Sequence, residues 1–133
     1  MIEWNEKYMV GIDNIDRQHE LLVDKINHLL EMHEKSEDLH VISTLFIGLI
    51  HYFTKHFEYE ETIMRGCNYP GLERRKLEHK IFYNNLEKTK NDFINGEISS
   101  LGYIIDYIKL WVMDHIIIQD KKYANKSLLK VNT

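Results

Sequence analysis

His56 and Glu60 stand four residues apart in the stretch His56-Phe57-Glu58-Tyr59-Glu60-Glu61. A helix would stack them on one face, where an imidazole and a carboxylate can share one metal ion or a pair bridged by the carboxylate. Two polar residues at this spacing are more often a solvated helix face. Three other segments change that balance, because each places a histidine on an otherwise apolar stripe. His19 lies between Ile15 and Leu22, His79 precedes Phe82, and His115 follows Trp111 and Val112. A buried imidazole or carboxylate without a partner is costly, so four such faces turned inward imply a shared internal site. Several imidazoles with one or two carboxylates suit iron, zinc or copper better than magnesium or calcium, which prefer oxygen shells.

The remaining histidines act as a control. His28 points away from His19, His51 lies off the His56 face, His40 falls beside a turn, and His33 lies several turns along the axis. All four read as surface or end residues. Asp120 follows His115 by five, which at about 100° per residue sets the two roughly 140° apart. Periodicity alone therefore puts Asp120 on the surface. To face the site, the helix must end, tighten or carry a π-type turn near Ile117-Gln119.

Positioning these groups requires helices, and the chain supplies four. The first spans Asn14 to Lys35, with Ile15, Leu22, Val23, Ile26, Leu29 and Leu30 at three- and four-residue spacing. Ser36-Glu37-Asp38 turns the chain. The second runs from about Leu39 to Arg65, with Gly66 expected as the residue after its end. The third follows Pro70, a first-turn proline, and reaches about Asn95 with Leu72, Arg75, His79, Phe82, Leu86 and Phe93 inward. Ser99 or Ser100 is expected to cap the fourth, which carries Leu101, Ile104, Ile108, Trp111, Val112 and His115. Residues 1–12 read as an extended arm, and the tail after Lys126 as frayed. Short links between long helices imply an all-α, up-down-up-down antiparallel four-helix bundle.

The chain has 133 residues, 44% hydrophobic and 29% charged, which fits one globular domain. Its net charge of −4, with signs interspersed, leaves no basic footprint for nucleic acid. No apolar run approaches the roughly 20 residues that span a bilayer. The N-terminus lacks a signal-peptide design, and the single Cys67 excludes an internal disulfide. A cytoplasmic protein is expected. Ferritin-type di-iron bundles use paired Glu-x-x-His motifs. Here the only one is Glu37 to His40, at a helix end.

The chain resembles the bacterial hemerythrins, from Trp4-Asn5 to about Tyr123. The matching pieces are Val10-Gly11-Ile12, Ile15-Asp16-x-Gln18-His19, His56-Phe57-x-x-Glu60-Glu61, Tyr69-Pro70, His79-x-x-Phe82, and Trp111-x-x-x-His115-x-x-x-x-Asp120. The resemblance implies a non-haem di-iron centre that binds dioxygen, for carriage, storage, delivery or sensing. His19 and His56 would hold the iron that takes up dioxygen, and His79 and His115 the other. Glu60 and Asp120 would bridge the pair, which moves Asp120 inside. Val112 would line the oxygen pocket. No catalytic residue is implied, and any sensing role would need a separate protein partner.

One position departs from the family pattern, which has His-x-x-x-His on the third helix. Arg75 stands at the first histidine, in Arg75-Lys76-Leu77-Glu78-His79. A guanidinium offers a metal no lone pair. Three readings follow. Arg75 swings to solvent and leaves an open coordination position, which would favour redox or peroxidase-like chemistry. Alternatively it stays inside, pairs with Glu60 or Asp120, and replaces metal charge in a mononuclear or metal-free bundle. In the third reading its side chain is peripheral and of little consequence.

Overall fold

A computed structural model describes residues 2–96 and 101–124. Helix α1 spans Asp13–Glu34, α2 Leu39–Gly66, α3 Leu72–Ile94 and α4 Leu101–Asp114. A π-helical turn, His115–Gln119, follows α4, and α-helical backbone resumes over residues 120–124. The expected caps at Ser99 or Ser100 and the tail after Lys126 lie outside the described residues.

Local chemistry sets most boundaries. Asp38 caps α2 by accepting the Val41 N–H at 3.0 Å, which satisfies one of the open donors of its first turn. At the other end, Gly66 stays helical and Asn68 takes the left-handed conformation, with φ 53°. Asparagine tolerates that region, so the sequence expectation for Gly66 is displaced by two residues. Pro70 lies in the link ahead of α3, not in its first turn. Gly71 follows it, where any Cβ would meet the Tyr69 ring at 2.7 Å.

The arm is tied down rather than simply extended. It holds a short 3-10 turn at Glu6–Tyr8, and Ile2 exchanges two hydrogen bonds with the Asn27 side chain. The buried Asp16 carboxylate accepts the N–H groups of Val10 at 2.6 Å and Gly11 at 3.2 Å. Gly11 has φ 92°, which a side chain would oppose. Asp16 thus fixes the arm against the first turn of α1, one turn before His19.

Cross-helix contacts establish the antiparallel order. Residues early in α1 meet residues late in α2, as in Asn14 to Tyr59 and Tyr52 to the Gln18 carbonyl. The late-α2 residue Glu61 meets His79 in the first half of α3. Asn85 of α3 meets Tyr107 of α4. The four helices therefore close an up-down-up-down ring, with the starts of α1 and α3 beside the ends of α2 and α4. A continuous core fills most of its length, including Leu22, Ile26, Phe46, Leu49, Phe53, Phe82, Leu86 and Ile108. No described helix is long and apolar enough to cross a membrane.

Candidate metal centre

Near the arm end of the bundle the core turns polar. His19, His56, Glu60, Arg75, His79, His115 and Asp120 are all buried, none more than 3% exposed. The expected control histidines stay out: His28, His40 and His51 are exposed and His33 is partly so. Asp120 is fully buried, against the periodicity reading. Its backbone N–H bonds to the His115 carbonyl, five residues back, and this wider turn brings the two side chains to one side.

Ligand atoms of His19, His56, Glu60, His115 and Asp120 lie within 4.8 Å of one another. His19 Nε2 is 3.1 Å from His56 Nε2 and 2.8 Å from Asp120 Oδ2. Glu60 Oε1 is 2.6 Å from both His56 Nε2 and His115 Nε2. His115 Nε2 is also 2.9 Å from Asp120 Oδ2. Several of these contacts have ion-pair distances without hydrogen-bond geometry, and Glu60 Oε2, Asp120 Oδ2 and His19 Nδ1 are buried with no hydrogen-bond partner. Lone pairs converging among buried side chains need a proton or a cation among them. The nitrogen and oxygen donors fit a borderline transition-metal ion.

The imidazoles are oriented from behind. His56 Nδ1 lies 2.8 Å from Gln18 Oε1, and His79 Nδ1 lies 3.0 Å from Glu61 Oε2. Each oxygen accepts the Nδ1–H, which leaves the lone pair on Nε2, the arrangement metal-binding histidines require. Gln18 and Glu61 stand in the matching sequence pieces, but neither was given a role there. The available signal was adjacency, since each neighbours a ligand on its helix. Tyr123 was also missed; its fully buried hydroxyl has no hydrogen-bond partner. Burial and the charges of Glu60 and Asp120 raise its pKa well above the usual phenol range.

Aromatic rings seal the inner side. Phe57 stacks on His79 at 3.9 Å between centroids, Trp111 on His115 at 4.4 Å, and Phe82 on Trp111 at 4.0 Å. Burial lowers the pKa of His19, against the pull of Asp120. Burial likewise drives His79 down to about 3. Burial pushes Glu60 up, but the imidazoles of His115 and His56 outweigh it and hold the carboxyl well below its ordinary range.

Arg75 neither swings to solvent nor sits at the periphery. It is 3% exposed, and its Nη2 donates to Asp120 Oδ1 at 2.8 Å and to His115 Nδ1. Its Nη1 donates to Glu78 Oε2 at 2.8 Å. Of the three sequence readings, the structure has the inward one, with Asp120 as the partner. His79, by contrast, stands outside the converging group, and its Nε2 has no partner. The residues thus fit one ion closely. For a second ion, α3 offers the unpartnered Nε2 of His79 among the described residues.

The hemerythrin HHE cation binding domain family matches residues 10–126 of this chain. A bacteriohemerythrin of Stenotrophomonas maltophilia is 26% identical over 132 residues, covering 99% of this chain and 85% of its own. Myohemerythrin-1 of Phascolopsis gouldii is 30% identical over 124 residues, covering 92% of each chain. Among solved structures, a hemerythrin point variant superposes with a TM-score of 0.87 at 24% identity, covering 95% of this chain and 96% of its own. That last likeness bears on the four-helix fold. With its buried cluster of histidine and carboxylate ligands, this chain belongs to the hemerythrin HHE cation binding domain family.

Proposed function

We propose that this chain holds non-haem iron in the buried cluster and binds dioxygen there, for carriage, storage or sensing. The observation that carries the reading is the convergence of five buried histidine and carboxylate side chains within 4.8 Å in a hemerythrin-family chain. The names of the bacteriohemerythrin and myohemerythrin relatives support it. Bound ferrous iron would supply an electron-donating centre with a coordination position for dioxygen.

The protein's own contribution is orientation and exclusion of water. Gln18 holds the His56 ring with its Nε2 lone pair inward. Phe57, Phe82 and Trp111 form an aromatic wall that keeps the space behind the histidines dry. Val112, fully buried three residues before His115, is the proposed apolar lining of the dioxygen pocket. An apolar lining disfavours water and charged competitors without obstructing a small neutral gas. Binding rather than turnover is the proposed role.

Anaerobic ferrous loading, followed by cycles of oxygen addition and removal, tests this directly. A reversible absorbance change is expected. Failure to retain iron would overturn the reading. Sustained peroxide turnover with a reducing substrate, without oxygen release, would replace it with a peroxidase-like enzyme.

A further inference from the structure

Building on the proposed iron site, we infer that its centre is mononuclear. One divalent ion is held by His19, His56 and Glu60 with Asp120 Oδ2, and the Arg75 guanidinium takes the place of a second ion. Arginine has five donors and no acceptor. At the contact between Arg75 Nη2 and His115 Nδ1, the imidazole nitrogen must therefore accept. A neutral imidazole that accepts at Nδ1 carries its proton on Nε2. That proton points to Glu60 Oε1, 2.6 Å away. His115 then has no lone pair left for a metal, and it relays a hydrogen bond from Arg75 to Glu60.

A doubly protonated ring would aim an N–H at the guanidinium, so the Arg75 contact selects the neutral ring.

Arg75 also removes a bridge. It occupies Asp120 Oδ1 at 2.8 Å, leaving only Oδ2, which faces His19. A carboxylate with one oxygen committed to a guanidinium serves one metal, not two. What remains is two imidazoles and carboxylate oxygens around one point. Open non-haem iron(II) sites are built from this ligand set.

Charge leads to the same result. The buried carboxylates of Glu60 and Asp120 carry two negative charges, and Arg75 already offsets one of them. A first divalent ion gives the cluster a modest net positive charge, whereas a second would crowd several positive charges among side chains buried from solvent. Nor is Arg75 free to retreat easily, because Glu78 grips its Nη1 at 2.8 Å. Glu78 and Arg75 itself lie on a surface groove of about 170 Å³ that Tyr69, Gln119 and Lys122 also line. The guanidinium is thus held from outside and inside at once. On α3, His79 Nε2 remains unpartnered.

The test is metal content per chain after anaerobic loading with ferrous ion alone and removal of free metal, on the wild type and on Arg75→His, His115→Gln and Glu60→Gln. Helix content by circular dichroism confirms that each variant is folded. The wild type is expected to hold about one ion per chain, Arg75→His about two, His115→Gln about one, and Glu60→Gln essentially none. Two ions on the wild type would overturn the mononuclear centre while leaving iron binding intact. Loss of the ion in a folded His115→Gln would overturn the relay role. No iron on the wild type would overturn the iron-holding reading itself and the inference with it.

Discussion

Asp120 donates its backbone N–H to the carbonyl of His115, five residues earlier, and this one wide turn brings both side chains into the site. A π-type turn is an α-helix with one extra residue, and such turns are frequent at functional sites. Deleting the half-exposed Ile118 from the turn would set His115 and Asp120 four apart, still on one helical face. That deletion is expected to keep iron uptake. Inserting an alanine after Ile118 should abolish it by carrying Asp120 off the face. Iron content of the two variants checks both outcomes, and uptake by the insertion variant would contradict the role given to the turn.

The inward faces of the helices were legible in the sequence because helical period is a one-dimensional signal. Ile15, His19, His56, Glu60, His79 and His115 all emerged from spacing, and all are buried. Asp120 was not, because a local change of helical period leaves no trace in residue types; only the family motif brought it inside. Arg75 was legible as inward, with Glu60 or Asp120 as its partner; that it takes Asp120 and also reaches His115 was not. Its partners, His115 and Asp120, lie 40 and 45 residues away, and which of them a long side chain reaches depends on rotamers. The same limit hid Gln18 behind His56, a contact across 38 residues. The left-handed residue after α2 was misplaced for a different reason. Glycine is the usual left-handed residue there, but Asn68 carries that conformation.

Gln18 is expected to act through His56 alone. Replacing it with leucine removes the acceptor for Nδ1–H and frees the ring to rotate. Affinity for ferrous ion should fall by about 10–100-fold, with little change in melting temperature. Competition against a chelator of known affinity measures it. Unchanged affinity would show that the aromatic wall orients His56 by itself.

Phe82 is fully buried and packs against both Phe53 and Trp111, whose indole in turn stacks on His115. Phe82→Ala should cost about 3–5 kcal/mol of stability. Denaturant unfolding of the metal-free protein gives the figure. A loss under about 1 kcal/mol would mean the wall closes around the missing ring.

His79 makes the metal-free protein acid-sensitive. Its pKa is about 3 when folded, against about 6.5 for a free imidazole. Below about pH 6.5 the unfolded chain therefore binds a proton that the folded one refuses, and stability falls as pH drops toward 3. His79→Phe removes this group and should flatten the melting temperature of the metal-free protein across that window. An equally steep acid limb in the variant would assign the sensitivity to His19, whose pKa is also lowered by burial.

The most direct measurement is an anomalous difference map at the iron edge from crystals of the ferrous-loaded protein. One peak is expected, within coordinating distance of His19 Nε2, His56 Nε2 and Glu60, with Arg75 still on Asp120. Two peaks bridged by Glu60 and Asp120, with Arg75 expelled to the surface, would contradict it.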